Sequence, residues 1–407
     1  MRQRLLRSAG TMDGTHVDVL VDVDGTISEV GNDLDPGPDV DRIDLDGWLL
    51  LPAATEPHAH LDKAFLAEVV HNPTGDLIGA IEAMRRSRHL LTVDETVERA
   101  ERAARRMAAN GYCAVRTHAD LTTEHGLTSI EALTEVRRRV ADLIDVEIVA
   151  LCGWPVTGPG GADQRQLLRT AMQVGADLVG GVPHLEAHGG SGTIAEATDF
   201  LLSVADEYRR PVDLHTDETL DPTADGLDVL ASNVLGGFDL PVTASHCVSL
   251  GQRSADDQAR TAVRVAEAGI SVVALPHTNL FLQGRGHAPM PRALTAVEAL
   301  RTAGVNVAAG ADNLQDPFNP LGRACPFETA GLMMLTTHVS ASDAWAMVSN
   351  HSARALGRAE SPMPANGLVV GERADLLAVR AGSLREAIAE APGERRVWRA
   401  GLERAET

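Results

Sequence analysis

Two histidines stand two residues apart in the segment Glu56-Pro57-His58-Ala59-His60, directly after the apolar run Trp48-Leu49-Leu50-Leu51-Pro52. The run has no helical period and has the length of a buried parallel strand. Side chains along a strand alternate between its two faces, so His58 and His60 should point the same way. Two imidazoles on one face, at the carboxyl end of a strand, can bind one metal ion together.

Polar side chains also follow apolar runs that come later in the chain. They are His118 and Asp120, then His215 with Thr216, Asp217 and Glu218, then Ser245 and His246, and finally Asp312 and Asn313. In a barrel of parallel strands these positions meet on the carboxyl rim, where catalytic groups lie. Several histidines and a carboxylate on one rim predict a metal site. Imidazole and carboxylate ligands suit Zn²⁺ or Fe²⁺, and the absence of thiolates argues against a closed structural zinc site.

The elements that would position these residues alternate between apolar runs and amphipathic helices from residue 49 onward. The candidate strands are Leu49–Glu56, Tyr112–Thr117, Val146–Leu151, Leu178–Val182, Val212–Thr216, Val242–Ser245, Ile270–Leu275 and Val305–Ala309. Helices are predicted at Thr92–Asn110, Thr193–Arg209 and Gln258–Ala268. Such an alternation predicts a (β/α)8 TIM barrel. A doubly wound open sheet is the alternative, but the Gly-rich phosphate turn of that fold is absent.

The two ends of the chain have a different strand character. Val17–Val23 alternates, Asp24-Gly25 is a hairpin signal, and Thr26–Val30 continues as a strand. After a helical piece at His351–Gly357, strand-like runs return at Gly367–Gly371, Ala374–Val379 and Arg396–Ala400. We therefore predict a small β-sandwich satellite domain formed by residues 1–50 and 361–407, beside a barrel of residues 51–360.

The composition limits the classes of function. The 407 residues include 36 basic and 57 acidic side chains, for a net charge of -21, which argues against nucleic acid or an anionic membrane as partner. The sequence shows no signal peptide and no stretch of membrane-spanning length, and its four cysteines form neither a zinc-finger spacing nor a disulfide framework. We expect a cytoplasmic protein, and we expect it to form a homo-oligomer.

These motifs together resemble the amidohydrolase superfamily and, within it, the cytosine deaminase branch. The residues that carry the resemblance are Glu56–Asp62, Val115–His118, Val179–His184, His215–Glu218, Ala244–His246, Leu282–Arg285, Gly310–Asp312 and the tail Asn366–Leu376. The match runs over nearly the whole chain. It implies one divalent metal ion, Zn²⁺ or Fe²⁺, with His58, His60, His215 and Asp312 as ligands.

The resemblance also implies a catalytic set of Glu218, His246 and Asp312. A metal with an open position lowers the pKa of its water to roughly 7, and the metal-bound hydroxide would add to an electrophilic ring carbon. His246 would polarise the water or the forming oxyanion, and Glu218 would relay a proton to the ring nitrogen before ammonia or an amine leaves. The implied enzyme is a metal-dependent aminohydrolase acting with water on a C–N bond of a small heterocycle, such as cytosine or a related pyrimidine.

Several of these residues have a structural alternative. Glu218 could be a helix-start carboxylate favoured by the helix dipole, and His118 and His246 could be buried histidines without a chemical role. Four further histidines are interpreted as structural or rim residues: His184, His188, His277 and His338.

The turn after the third strand departs from the cytosine deaminase pattern. That branch carries a glutamine in a Pro-Gln-x-Gly turn, and its amide pairs with the pyrimidine edge; here the turn is Trp154-Pro155-Val156-Thr157-Gly158. Val156 cannot offer a donor and an acceptor, so we predict a substrate with an apolar or N-alkyl edge beside Trp154. Lys63, directly after His60-Leu61-Asp62, is a feature that resembles the isopropylammelide hydrolases. Asn313, directly after Asp312, stands where the branch usually has an aspartate. The predicted substrate-binding residues are Lys63, Trp154, Val156, Gln283 and Asn313.

Three other functions are weighed against this one. An N-alkyl-triazine hydrolase of the isopropylammelide type would release an amine. A catalytically dead barrel acting as a binding protein would be expected to have lost a ligand or Glu218, and none is missing. A two-metal cyclic-amide hydrolase needs a bridging carboxylated lysine after the fourth strand, where the sequence has Val182-Pro183-His184.

Overall fold

The computed structural model describes residues 2–186, 192–359 and 362–404, and their strands form two sheets. In chain order the strands are β1 (Arg4–Gly10), β2 (His16–Val21), β3 (Ile27–Gly31), β4 (Asp41–Asp44), β5 (Leu49–Pro52), β6 (Ala54–Ala59), β7 (Tyr112–Leu121), β8 (Asp145–Cys152), β9 (Leu178–Gly181), β10 (Val212–Thr216), β11 (Val242–His246), β12 (Ser271–Ala274), β13 (Val307–Ala309), β14 (Leu376–Val379), β15 (Arg395–Arg399) and β16 (Leu402–Arg404). Strands β6 to β13 follow one another in a parallel sheet. The predicted (β/α)8 barrel is therefore confirmed.

Two of the three barrel helices predicted from the sequence begin where predicted. The described α-helices are α1 (Leu77–Ser87), α2 (Val93–Ala109), α3 (Thr128–Arg139), α4 (Ala162–Val174), α5 (Ile194–Tyr208), α6 (Gly226–Leu235), α7 (Ala255–Glu267), α8 (Pro276–Leu282), α9 (Val297–Thr302), α10 (Pro326–Thr337), α11 (Ala341–Val348), α12 (Asn350–Ala355) and α13 (Leu384–Glu390). Thr92 caps α2 and Thr193 caps α5, as predicted. Helix α7 begins earlier than predicted because Ser254 caps it by accepting from the N–H of Asp257. Within the described ranges, no helix is both long and apolar enough to cross a membrane.

The barrel closes between its first and last strands at the carboxyl rim. The N–H of Asp312 donates to the carbonyl of His58 at 3.1 Å, and the N–H of His60 donates to the carbonyl of Asp312 at 3.2 Å. The buried carboxylate of Glu56 spans the same seam, since it accepts from the N–H groups of His58 at 3.2 Å and Ala311 at 3.1 Å. Burial raises the pKa of Glu56 to about 8. The hydrogen bonds that close the barrel therefore also fix three of the predicted ligands.

Both chain ends contribute to the second sheet, as predicted. Its order is β16-β15-β14-β5-β1-β2-β3, with β4 paired to β1. The prediction of one parallel core strand over Leu49–Glu56 is wrong, because the strand is interrupted at Ala53. Strand β5 pairs antiparallel with β14, and only β6 belongs to the barrel. Pro52 has no N–H with which to continue a ladder.

A strand at Gly367–Gly371 is also a wrong prediction. Gly367 and Gly371 adopt φ values of 84° and 92°, so this segment turns instead of extending. We propose the domain division of residues 1–50 and 361–407 against residues 51–360. Its first boundary falls inside β5, and its second, between residues 360 and 361, lies outside the described residues.

The two sheets meet closely at Gly111, which offers a stability test. Gly111 has φ 96°, and a Cβ there would lie 2.7 Å from Cδ2 of Leu377 in β14. We expect Gly111→Ala to lower the free energy of unfolding by about 1–3 kcal/mol more than Gly126→Ala, through overpacking. Gly126 is the matched control because its φ is also positive, at 63°, with nothing within 4 Å of an added Cβ. Urea unfolding of both variants measures the difference, and equal midpoints would contradict it.

Candidate active site

The four predicted ligands lie together inside the mouth of the barrel. Nε2 of His60 lies 3.2 Å from Nε2 of His215 and 3.3 Å from Oδ1 of Asp312. Nε2 of His58 lies 3.6 Å from the same carboxylate oxygen. All four side chains are buried. Two nitrogens bound tetrahedrally to one zinc at about 2.0–2.1 Å would be about 3.3–3.4 Å apart, so the spacing of His60 and His215 fits a shared ion.

Two more histidines complete the cluster. The ring of His118 stacks on that of His58 with centroids 3.9 Å apart, and Nε2 of His246 lies 3.9 Å from Oδ2 of Asp312. Two groups of side chains bring their ligand atoms within 4.8 Å of one another: His58, His118 and His215, and His58, His246 and Asp312. The cluster can therefore hold a metal ion, while the choice of ligands among its members stays a prediction.

Several polar atoms that face one another in this cluster have no hydrogen-bond partner among the described residues. They are His58 Nε2, both ring nitrogens of His118, His215 Nδ1, His246 Nε2 and both carboxylate oxygens of Asp312. Buried polar atoms are almost always paired, because leaving them unpaired costs free energy. A divalent cation would bind the lone pairs of unprotonated ring nitrogens and of the carboxylate oxygens, so the side chains fit the predicted metal.

The tautomer of His58 follows from a buried chain of hydrogen bonds. The hydroxyl of Ser245 donates to Oδ1 of Asp213 at 2.9 Å, so it can only accept from Nδ1 of His58, which lies 2.9 Å away. His58 therefore carries its proton on Nδ1 and presents a bare Nε2 to the cluster. Arg116 holds the other oxygen of Asp213 at 3.0 Å. Burial raises the pKa of Asp213 to about 6, which still leaves it ionised at neutral pH.

His60 is held differently, by Lys63. The Lys63 ammonium lies 2.9 Å from Nδ1 of His60 and 2.7 Å from Oδ1 of Asp120. Because an ammonium only donates, it leaves the neutral His60 ring with its proton on Nε2. A metal binds neutral imidazole through an unprotonated ring nitrogen, so binding through Nε2 would require the proton of His60 to move to Nδ1.

Burial sets the protonation of the site. It lowers the pKa values of His58, His118 and His215 well below their ordinary range, with neighbouring histidines adding to the effect. These rings are therefore neutral, which is the form that binds metals. Burial also raises the pKa of Glu218 well above its ordinary value, with the charge of Asp312 as the second cause.

Glu218 and His246 lie side by side at the edge of the cluster. Oε1 of Glu218 is 3.7 Å from Nδ1 of His246, and that nitrogen donates to Oδ1 of Asn279 at 3.0 Å. His246 and Asp312 both adopt positive φ, at 72° and 63°. Such backbone conformations cost about 1–3 kcal/mol each and are typical of active sites. The arrangement places a proton carrier and an imidazole beside the metal-binding groups.

The cluster opens into a cavity with apolar and aromatic walls. The lining residues at the cluster end are His60, His215, Glu218, His246 and Asp312. Helix α1 contributes Leu77, Ile81 and Met84, and Trp154 and Phe318 add aromatic faces. Apolar and aromatic side chains therefore form part of the wall beside the groups of the cluster.

Three of the predicted substrate-binding residues line this cavity, namely Lys63, Trp154 and Asn313. Val156 and Gln283 are not among its lining residues. The N–H of Val156 donates to the carboxylate of Glu186 at 3.1 Å, and the amide of Gln283 donates to the backbone carbonyl of Glu218 at 3.1 Å. Glu186 thus fixes the turn that carries Trp154, and the apolar wall comes from other residues.

Of the histidines interpreted as structural, His184 donates from Nδ1 to the backbone carbonyl of His215 at 3.1 Å. His277 lies 3.7 Å from Glu328, and His338 contacts Arg292 at 3.2 Å. His188 lies outside the described residues.

Sequence reasoning missed the cavity wall formed by α1, along with Phe318. A signal was present, because Leu77, Ile81 and Met84 recur at helical spacing behind the capping residue Asp76. Asp213 was also missed; nothing in its local sequence shows that it faces the barrel interior and contacts the hydroxyl of Ser245.

The chain is similar to known proteins over most of its length. A family model described as "Amidohydrolase family" matches residues 66–401. The chain is 32% identical over 390 residues to a pterin deaminase of Rhizobium rhizogenes, covering 94% of this chain and 86% of that protein. It is 25% identical over 363 residues to an N-isopropylammelide isopropyl amidohydrolase of a Pseudomonas species, covering 86% of this chain and 84% of that protein.

A solved structure gives the same picture at the level of the whole fold. The 5-methylcytosine deaminase of Klebsiella pneumoniae, liganded with 5-fluorocytosine, superposes with a TM-score of 0.86 at 30% sequence identity. The match covers 100% of this chain and 97% of that one. Both the barrel and the satellite sheet are therefore shared with a deaminase.

The role of Ser245 can be tested by metal affinity. We expect Ser245→Ala to weaken metal binding about 10–100-fold, because the hydroxyl fixes the metal-binding tautomer of His58. Competition against a chromophoric chelator measures the affinity, and wild-type protein should bind one equivalent.

Ser352→Ala is the matched control. Ser352 is a buried serine that donates to the backbone carbonyl of Met347. An unchanged affinity in Ser245→Ala, with the control also unchanged, would contradict the proposed role. The melting temperatures of both variants without metal separate loss of affinity from loss of stability.

Proposed function

The chain belongs to the amidohydrolase family, and from that premise we propose that it deaminates an amino-substituted pyrimidine ring, alone or fused to a second ring. The reaction is hydrolysis: water supplies the oxygen that replaces the exocyclic amino group, and ammonia leaves. The observation that carries the proposal is the position of Glu218, which lines a cavity that ends at the histidine cluster and whose buried Oε1 has no hydrogen-bond partner among the described residues.

We further propose one divalent metal ion, zinc or iron(II), bound by His58, His60, His215 and Asp312. The ion would supply Lewis acidity and a low-pKa water at neutral pH. Two features support a single ion. The chain has no lysine after the fourth strand, where β9 is followed by Val182 and Pro183. In addition, Nε2 of His60 lies close to both Nε2 of His215 and Oδ1 of Asp312, at 3.2 and 3.3 Å.

The chain's own residues account for the proton transfers. Burial favours the protonated form of Glu218, so its carboxyl group can give a proton to a ring nitrogen, take a proton back from the added water and give that proton to the departing amine. His246, neutral and fixed by Asn279, presents Nε2 towards the oxygens of Asp312. It is placed to orient the attacking water. Lys63 and Asn313 are among the polar residues that line the cavity beside the rest of the ring.

The substrate proposal draws on the cavity and on the relatives together. Trp154 and Phe318 provide flat surfaces, and α1 adds a long apolar wall, so the cavity accommodates aromatic rings. The related proteins act on a pterin, a methylated cytosine and an alkylated triazine by their names. An amino-bearing ring carbon next to a ring nitrogen is common to all three. Cytoplasmic location and self-association, expected from the sequence, stay predictions.

A substrate panel tests the proposal directly. Metal-loaded protein should release ammonia from pterin or 5-methylcytosine with kcat/KM within the range of about 10⁴–10⁸ M⁻¹s⁻¹. Isopropylamine release from N-isopropylammelide as the best reaction would instead support the N-alkyl-triazine alternative. Failure on every member would contradict the proposed activity, and binding of the same compounds without turnover would support a non-catalytic barrel.

The proton-carrier role of Glu218 has its own test. We expect Glu218→Gln to retain one metal and the wild-type melting temperature but to lose at least about 10² in kcat, because an amide cannot relay a proton. Glu207→Gln is the control, since Glu207 pairs with Arg169 on the surface. Turnover within a factor of a few of wild type would assign the proton transfer to another group.

A further inference from the structure

The substrate cavity is rich in positive charge although the protein is strongly acidic. Three cationic side chains line it: Lys63, Arg85 and Arg88. The whole chain has a net charge of -21. The carboxylates in the lining are Asp120, Glu218 and Asp312, and the last two lie at the histidine cluster, where the proposed metal adds positive charge. Away from the cluster, Asp120 is the one carboxylate among the described lining residues, and Asp62, outside the lining, lies 3.6 Å from the Lys63 ammonium.

Asp120 is already shared between two of these cations. Its Oδ1 accepts from Lys63 at 2.7 Å, and its Oδ2 accepts from Arg88 at 3.0 Å. Nε of Arg88 is buried and has no hydrogen-bond partner among the described residues. Arg88 therefore keeps at least one buried donor for another acceptor in the cavity.

Arg85 has no carboxylate partner at all among the described residues. Its guanidinium lies over the ring of Trp154, 4.7 Å from the centroid. Glu124 is close enough to feel the charge of both arginines but forms no ion pair with either. A stacked guanidinium is held in position while its N–H edge stays free to donate. Arg85 is thus oriented and unneutralised.

The dipole of α1 does not by itself explain why both Arg85 and Arg88 line the cavity. Cations are favoured at a helix C-terminus, and the exposed Arg85 and Arg86 occupy the last turn of α1, with Arg88 directly after it. Arg86 pairs with Glu82 at 3.5 Å and does not line the cavity. Arg85 and Arg88, three residues apart along the chain, both do. Residues at this spacing lie on the same side of a helix. Their shared direction is towards the ligand space.

We propose that Arg85 and Arg88 bind a carboxylate substituent of the substrate and so select acidic heterocycles. This inference rests on the proposed function, since the selected ring is the one that the chain deaminates. The carboxylate would lie at the α1 wall, with the ring between Trp154 and Phe318 and the amino-bearing carbon at the cluster. A bidentate guanidinium–carboxylate contact gives both affinity and orientation.

Matched pairs of substrates test the inference. The pairs are pterin with pterin-6-carboxylate, and 5-methylcytosine with 5-carboxycytosine, each assayed with metal-loaded protein. For a ring that is deaminated, we expect kcat/KM to be at least about tenfold higher for the carboxylate, as one charge-assisted contact would give. Arg85→Gln should lower this ratio at least about tenfold, and Arg88→Gln should lower it too. Arg86→Gln is the control and should leave the ratio unchanged.

The outcomes separate this inference from the proposed function. Deamination of a neutral ring, with its carboxylate poorer or equal in both pairs, would overturn the inference and leave the function standing. A preference that survives both Arg85→Gln and Arg88→Gln would also overturn it. If no ring is deaminated, the proposed function fails. The inference is then tested by calorimetry, which gives the ratio of the Kd values of the neutral and carboxylated member of each pair. Tighter binding of the carboxylates, lost in Arg85→Gln, would support it.

Discussion

The closure of the barrel is the constraint on which the site depends. Strands β6 and β13 are joined by few backbone hydrogen bonds, and these involve His58, His60 and Asp312 themselves. Metal-binding groups on loops would have to be ordered at an entropic cost when a ligand arrives. Here the same bonds that complete the sheet place the imidazoles and the carboxylate beforehand. The carboxylate of Glu56, buried below them, ties the seam a second time.

Around this seam, buried polar groups determine which atoms face the centre. Ser245 and Asp213 leave Nε2 of His58 without a proton, and Asn279 does the same for Nε2 of His246. Lys63 donates to Nδ1 of His60, so the proton of that ring lies on Nε2. The cluster is therefore not a set of equivalent imidazoles. Their differences follow from the partner of the second ring nitrogen, which is the usual way in which a protein tunes a histidine ligand.

Much of the fold and of the metal-binding cluster could be predicted from the sequence, because both depend on local patterns. Apolar runs ending in His or Asp are readable one strand at a time, and the barrel brings their ends together. The residues of the cavity walls were harder to predict from the sequence. Val156 follows Trp154 by two residues, yet its N–H turns to Glu186 and its side chain leaves the lining. Arg85 and Arg88 come from a helix between two strands, and only the tertiary structure shows which side of it faces the ligand. The run Leu49–Glu56 was misjudged because one continuous apolar stretch serves two sheets.

The division of the run Leu49–Glu56 between two sheets affects how the chain folds. Only Ala53 separates β5 from β6, and β5 pairs with β14, so the first barrel strand is anchored to a partner more than three hundred residues later in the chain. Contacts of such large sequence separation form late, since loop closure must be achieved before they contribute. During synthesis, the edge of β5 stays without this partner until residues 376–379 have emerged. Completion of the second sheet is thus a late event, and the strand that carries His58 gains its full support only then.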